Sequence, residues 1–144
     1  MGKVFCLLGA GVVIGVDRLL KFWVEGSLEL GRSCSLLDGA VSLRRVHNPG
    51  GALGIFASCP NIFLIVAAVV STGLFIAVLT ADLPGPLVKV GVSLLLGGAV
   101  GNLIDRLLFG YVIDFILVYR FPVFNLADAC IVIGVGLILL RWLL

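Results

Sequence analysis

The chain has 144 residues, of which 61% are hydrophobic and only 12% are charged. Soluble domains carry about 25% charged residues, so we expect lipid rather than water to surround much of this chain. The net charge of +2 indicates no particular partner. Lysine and arginine form no cluster with interleaved aromatic residues, so nucleic acid is not an expected partner. The chain contains a single histidine, His47, which excludes zinc sites of the HExxH type.

The cysteines do not indicate a metal site either, because none of them has CxxC spacing. Cys34 and Cys59 could pair if their loop faces an oxidising compartment, and buried reduced thiols are the simpler alternative. The sequence therefore predicts neither a metal nor a cofactor.

Four segments are apolar enough to cross a bilayer, which takes about 20 mostly apolar residues. They are residues 4–24, 61–80, 87–104 and 126–142. The first is the least uniform, because Asp17, Arg18 and Lys21 enter its C-terminal half. Lys89 lies at the edge of the third segment, and its long side chain can carry the charged amine to the membrane interface. The predicted fold is an all-α membrane protein, a bundle of four transmembrane helices forming a single domain over residues 1–144.

A long polar segment, at about residues 25–60, separates the first two predicted helices. Within it Asp38-Gly39 lies between two apolar stretches, a pattern typical of a β-hairpin. We therefore predict a small β-structure on the membrane surface between helices 1 and 2.

Four alternating spans would place most acidic residues on one side of the membrane. Seven of the eight acids share this side: Asp17, Glu25, Glu29, Asp38, Asp105, Asp114 and Asp128. The eighth, Asp82, lies on the other. Such one-sided polarity favours chemistry at one membrane surface over a conduction path, whose polar groups should continue through the bilayer.

Two of these acids, Asp114 and Asp128, form the strongest candidate site. Pro122 prevents one continuous helix between them, so the chain can fold back and bring the two carboxylates together. Asp128 would lie in the first turn of a helix, where the macrodipole favours the ionised form. Asp114 has apolar neighbours, which favour the protonated form. This combination predicts a dyad that shares one proton and activates water.

Other polar patterns have structural as well as functional interpretations. Gly98, Gly101, Asn102 and Asp105 share one helix face, and the glycines are typical of close helix packing. Asn125 followed by Asp128 is typical of a helix N-terminal capping box. A serine–lysine dyad of Lys21 with Ser27 or Ser33 is a weak alternative, because nothing in the sequence buries either serine.

Five motifs, in order and at matching spacing, resemble those of the bacterial lipoprotein signal peptidases (signal peptidase II). They are Asp17-Arg18-Leu19-Leu20-Lys21, Val46-His47-Asn48-Pro49-Gly50-Gly51-Ala52, the segment 97–107, Val112-Ile113-Asp114-Phe115, and the segment 121–128. The resemblance covers nearly the whole chain.

The resemblance implies an aspartic endopeptidase in which Asp114 and Asp128 are catalytic. Further residues would line or brace the site: Asp17, Lys21, Asn48, Gly50, Asn102, Asp105, Arg106 and Asn125. The implied substrate is a prolipoprotein carrying diacylglycerol on a cysteine, cut just before that cysteine. The implied enzyme is a multi-pass protein of the bacterial inner membrane with its site toward the periplasm. We expect a monomer whose partners are prolipoproteins and membrane lipid.

Some features depart from the family pattern. Leu53 and Gly54 stand where Phe-Ser is usual, Arg18 replaces a common Gln, and His47 a common Arg. The segment between the two aspartates is also short, which predicts a trimmed lid over the site.

The orientation expected from the family conflicts with the charge pattern. Seven of the ten lysines and arginines lie on the acid-bearing side, and the positive-inside rule would put that side in the cytoplasm. We follow the family, because several of these cations are positioned to pair with acids.

Two other function classes remain as alternatives. A proton-coupled transporter would use Asp105, Asp114 and Asp128 as relay groups and would cleave no peptide. A structural membrane protein would tolerate conservative changes at both aspartates.

Overall fold

The computed structural model describes residues 2–50, 60–119 and 121–144. Within these ranges the helices are α1 (Gly2–Ser27), α2 (Pro60–Thr80), α3 (Gly85–Phe109) and α4 (Leu126–Leu143). The strands are β1 (Ser33–Leu36), β2 (Val41–Asn48) and β3 (Val112–Val118). The prediction of a mostly helical chain with a small β-structure is confirmed.

Three of the described helices are long and apolar enough to cross a membrane. The qualifying segments are Asn61–Thr80, Gly85–Phe109 and Leu126–Leu143. Helix α1 has 26 residues, but it carries Asp17, Arg18 and Lys21 in its C-terminal half. A fourth crossing, by α1, therefore stays a prediction.

Helix α3 is the central helix, since it packs against each of the other three. Its glycines allow the close approach. A Cβ at Gly97 would lie 2.6 Å from the Cβ of Val13 on α1, and one at Gly98 would collide with the carbonyl of Ala127 on α4. The structural interpretation of these glycines is confirmed. The adjoining apolar core comprises Cys6, Ala10, Val78, Val88, Val92 and Leu96.

The β-strands form one antiparallel sheet in the order β1-β2-β3. Leu36 pairs with Val41, and a 3₁₀ turn over Leu37–Gly39 closes the hairpin. Gly39 has φ +88°, a conformation that residues with a side chain adopt at a cost. The hairpin predicted from Asp38-Gly39 is confirmed.

The third strand corrects the prediction that the β-structure is confined to the segment between helices 1 and 2. Strand β3 comes from the connection between α3 and α4 and pairs with β2, with Asp114 opposite Val46. Its sequence is apolar except for Asp114 and shows no regular alternation, which alone does not distinguish a strand from a helix. The edge of β2 supplies the hydrogen-bond partners that make this run a strand.

The chain between β3 and α4 turns back as the proline in this segment predicts. Phe124 forms a β-bridge with Ile116, and its N–H donates to the Ile116 carbonyl over 2.9 Å. Helix α4 begins two residues later, so Asp128 is brought next to the strand that carries Asp114.

Candidate active site

Asp114 lies in the middle of β3 between two buried apolar residues, Ile113 and Phe115. Side chains alternate across a strand, so the carboxylate points to the opposite face from these two neighbours. Asp114 is itself only 2% exposed. A buried carboxylate requires hydrogen-bond partners, and this one has two amide donors.

Asp128 is fixed by the start of α4. Its backbone N–H donates to Asn125 Oδ1 over 2.8 Å, and its Oδ2 accepts from the Asn125 backbone N–H over 3.2 Å. This reciprocal pair is the predicted capping box, and it is confirmed. The second carboxylate oxygen, Oδ1, accepts from Asn102 Nδ2 over 2.7 Å.

Asn125 joins the two carboxylates. Besides capping the helix that carries Asp128, it donates from Nδ2 to Asp114 Oδ1 over 2.8 Å. The same amide nitrogen is 3.0 Å from Asn102 Oδ1. Asn125 has no exposed surface, so one buried side chain sets the position of both acids.

Asn48, at the end of β2, holds Asp114 from the other side. Its Nδ2 donates to Asp114 Oδ2 over 3.0 Å, and its Oδ1 accepts from the Gly50 N–H over 3.0 Å. Arg106 in turn donates to the carbonyls of Gly50 and Asn102, at 3.2 and 3.3 Å. The turn after β2 is therefore tied to α3 as well as to the acid.

A buried ionic cluster lies behind the dyad. Lys21 Nζ is 2.7 Å from Asp17 and 2.6 Å from Asp105, and Arg18 pairs with the other oxygen of Asp105. Buried ions are stable only when their charges and hydrogen bonds are satisfied, which explains why α1 carries charges among its apolar residues.

The cluster also reaches the backbone of the elements that carry the two acids. Asp105 accepts from the Ile113 N–H over 3.2 Å, and Asp17 accepts from the Ala127 N–H over 3.1 Å. Each of these backbone groups belongs to the residue immediately before a dyad aspartate. Lys21 also donates to Asn102 Oδ1 over 3.3 Å.

The electrostatic surroundings of Asp114 favour retention of its proton. Burial raises the pKa of Asp114 from its ordinary 3.8 to about 7, and the nearby Asp128 carboxylate adds to the rise. Hydrogen bonds from Asn48 and Asn125 and the charge of Lys21 act in the opposite direction. Near neutral pH this carboxyl is therefore poised to hold or release a proton.

The two acids open on a cavity of about 390 Å³. Its polar lining comprises Asn48, Asn102, Arg106, Asp114 and Asp128, and its apolar lining includes Val112, Phe121, Phe124, Ile131 and Val132. A peptide bond can approach the acids while apolar groups occupy the remaining walls.

The structure brings all ten predicted site residues into one network. Asp17, Lys21, Asp105 and Asn125 lie behind the cavity, and Gly50 contributes backbone groups.

Within the described part of the chain, no group of three His, Cys, Asp or Glu side chains is placed to hold a metal ion. Cys34 is an exposed free thiol, whereas Cys59, Leu53 and Gly54 lie outside the described residues. Lys21 bonds to carboxylates and an amide, which leaves the serine–lysine alternative without support.

Sequence reasoning missed two contributors to the site's frame. Arg18, which was not among the predicted site residues, pairs with Asp105. His47 stacks on Tyr111 with ring centroids 4.0 Å apart, and Arg45 lies 3.3 Å from its Nε2. Burial, aided by Arg45, lowers the pKa of His47. The stack joins β2 to the residue that precedes β3, and only the strand pairing reveals it.

Comparisons with known proteins identify the family. A family model described as signal peptidase (SPase) II matches residues 9–144. The lipoprotein signal peptidase of Moorella thermoacetica is 41% identical over 136 residues, covering 94% of this chain and 89% of that protein. The lipoprotein signal peptidase of Symbiobacterium thermophilum is 38% identical over 137 residues, covering 92% and 90%. A solved bacterial membrane enzyme is 32% identical with a TM-score of 0.88, covering 96% of this chain and 87% of its own. The chain therefore belongs to the signal peptidase II family of lipoprotein-processing proteases.

Proposed function

We propose that this protein is an aspartic endopeptidase that removes signal peptides from diacylglyceryl-modified prolipoproteins. It would cut just before the lipid-bearing cysteine, with Asp114 and Asp128 activating water. The observation that carries this proposal is the bridging amide of Asn125, which bonds to both acids at the wall of a largely apolar cavity. The names of its relatives support the substrate class.

The two acids have surroundings suited to different roles in hydrolysis. Asp128, ionised, accepts a proton from water as the water oxygen bonds to the scissile carbonyl carbon. Asp114, protonated, donates its proton to the carbonyl oxygen. When the C–N bond breaks, Asp128 gives its proton to the leaving nitrogen and a hydroxyl proton returns to Asp114. The dyad is then restored, and the raised pKa of Asp114 supports its role as donor.

The cavity lining supports a lipid-modified substrate. Ile131 and Val132 belong to the second turn of α4, and Phe121 and Phe124 belong to the returning segment. These apolar side chains adjoin the acids, so acyl chains and a peptide bond can be accommodated together. Helices α2 and α4 are largely exposed along their lengths, which is compatible with entry of a substrate from lipid.

For topology we propose four crossings, with α1 as the first. Its length of 26 residues corresponds to about 39 Å, enough for the hydrocarbon core, and the charges of Asp17 and Lys21 are neutralised within the protein. We place the dyad on the periplasmic side of the inner membrane, in a monomer.

The ion pairs bear on this orientation. Four cations on the dyad side pair with acids of the same side: Arg18, Lys21, Arg32 and Arg45. Paired cations are a weaker orientation signal than unpaired ones. Reporter fusions at the two termini test the assignment, and a cytoplasmic location of the Asn102–Asp128 side would refute it.

The function is tested by cleavage of a purified lipid-modified precursor. Asp114→Asn and Asp128→Asn should each abolish cleavage, because an amide neither accepts nor donates the proton required. Asp38→Asn is the matched control, since Asp38 is an exposed turn residue. If either dyad variant inserts normally and retains near wild-type turnover, the assignment fails.

A further inference from the structure

A second cavity lies at the opposite end of the molecule from the dyad. Its volume is about 450 Å³, and it is lined by Gly2, Lys3, Val4, Ala81, Asp82, Leu83 and Lys89. Along α3, Lys89 is 13 residues from Asn102, which corresponds to roughly 20 Å. The cavity is therefore separate from the proposed catalytic site.

Positive charge converges on this cavity. Lys3 Nζ donates to the Leu79 carbonyl over 2.5 Å, and the stem of Lys89 lies against the start of α1, with its Cε 3.1 Å from the position of a Cβ at Gly2. Arg141 Nε lies 4.0 Å from a Cβ position at Gly85, in the neighbouring turn. Among the described residues that line this cavity, Asp82 is the one acid.

No ion pair within the described part of the chain neutralises these charges. Among the residues that the structure describes, none of Lys3, Lys89, Arg141 and Asp82 forms an ion pair. The dyad side has seven acids and seven cations, which cancel. The entire net charge of +2 therefore lies on the opposite side, where the second cavity is. An anion is therefore the complementary ligand.

The surface beside the cavity is apolar. Phe5 and Leu8 of α1 and Ile76 and Leu79 of α2 are exposed, and Val4 joins them to the cavity lining. Lysines at a membrane boundary often extend toward headgroups without a specific site. Here, however, two lysines from different helices border one concave site that continues into exposed apolar helix surface.

We propose that this cavity binds the headgroup of an anionic phospholipid, with its phosphate between Lys3 and Lys89 and its acyl chains along the exposed surfaces of α1 and α2. A phosphate with net negative charge matches the surplus of cations. A zwitterionic lipid brings no net charge and is the natural comparison. The site is independent of the proposed peptidase activity.

The test measures thermal unfolding of the purified full-length protein in detergent micelles with added lipid. Dioleoylphosphatidylglycerol should raise the unfolding midpoint more than dioleoylphosphatidylcholine at the same mole fraction. Interfacial lysines contribute strongly to binding of anionic lipid, so the Lys3→Gln/Lys89→Gln variant should bind phosphatidylglycerol on the order of ten-fold more weakly. Arg32→Gln, which removes one exposed cation on the other side, should keep the full preference.

Three outcomes would overturn the proposal. They are equal stabilisation of the wild type by both lipids, an unchanged preference in the double variant, and stabilisation by inorganic phosphate as large as that by phosphatidylglycerol. If the double variant does not fold, Lys89→Arg and Lys89→Gln are compared instead. The arginine variant should keep the preference and the glutamine variant should weaken it, and equal behaviour of the two would also contradict the site.

Discussion

Replacing Asn125 by serine separates the bridging role of this residue from its capping role. Serine is about as good an N-cap as asparagine, so its hydroxyl can accept from the Asp128 N–H and preserve the start of α4. It cannot supply the amide donor that reaches Asp114 Oδ1 over 2.8 Å. The substitution therefore removes the link between the acids while leaving the helix capped.

The size of the effect follows from the lost hydrogen bond. In the proposed mechanism Asp114 becomes negatively charged as it gives its proton to the substrate, and a hydrogen bond to a charged group contributes about 1.5–3 kcal/mol. About 1.4 kcal/mol corresponds to a ten-fold change in rate. If the bond acts fully in the transition state, kcat should fall roughly ten- to a hundred-fold. The free energy of unfolding should also fall, by about 1–3 kcal/mol, because buried oxygens of Asp114 and Asn102 lose an amide donor. The rate is therefore expressed per amount of folded protein.

The pH profile provides a second readout. The hydrogen bond from Asn125 acts to lower the pKa of Asp114, so its removal should raise that pKa further. Because the proposed mechanism requires Asp114 in its protonated form, the alkaline limb of the kcat profile should move to higher pH. The profile reports the pair of acids rather than one of them, but the direction of the shift is the same.

The assay measures cleavage of a lipid-modified precursor from about pH 5 to about pH 9, a range in which a carboxyl group with a raised pKa titrates. Unfolding is followed in parallel. Asn61→Ser, at the exposed start of α2, is the matched control. The reasoning is refuted if Asn125→Ser loses activity only in proportion to folded protein and keeps its alkaline limb in place.

Three further predictions concern pH, packing and metal. Between pH 3.8, the ordinary pKa of an aspartate, and about pH 7, the folded protein holds a proton on Asp114 that the unfolded chain releases. This group therefore lowers the stability of the protein as the pH rises through that range. At about pH 8, Asp114→Asn should be inactive yet melt at a higher temperature than wild type, and a lower melting temperature would contradict the burial argument. Gly98→Val should lower stability and activity together, because a Cβ there would collide with the Ala127 carbonyl. In the control Gly11→Ala the new Cβ would meet nothing within 4 Å, so this variant should stabilise α1 by up to ~1 kcal/mol in a thermal melt. Equal effects of the two substitutions would show that α3 and α4 are not closely packed at Gly98. A chelator should leave precursor cleavage unchanged because two carboxylates suffice to activate water, and a loss of activity restored by a divalent metal would contradict this.

The sequence was sufficient to predict that Asp114 and Asp128 come together, as they do at one cavity, but not the strand that holds Asp114. Asp114 and Asp128 stand out because an ionisable residue is costly near lipid. The helix cap at Asn125 can be predicted from the local spacing of Asn125 and Asp128. Strand β3 cannot be predicted from its own sequence, because its mainly apolar residues do not alternate with polar ones. The segment forms a strand only by pairing with β2, at residues such as Val46.

The sequence also does not show how far α3 extends beyond its apolar span. The predicted span ended at residue 104, whereas α3 continues to Phe109 and ends where Gly110 adopts φ +78°. Asp105 remains within the helix because Arg18 and Lys21 of α1 neutralise it. Compensation between charges 87 and 84 positions apart cannot be inferred from the local pattern of either segment.

The same compensation explains how the backbone of both acids is held in place. Asp17, Lys21 and Asp105 do not line the cavity, yet Asp105 and Asp17 bond to the backbone N–H groups of Ile113 and Ala127. Each dyad aspartate therefore follows a residue anchored by a buried carboxylate, and Lys21 holds those carboxylates in place. Because the backbone is fixed in this way, the side chains of Asp114 and Asp128 need only the amides of Asn48, Asn102 and Asn125 to orient them. The charges of Asp17 and Lys21 thus act through the backbone, which accounts for an ionic cluster within a mainly apolar part of α1.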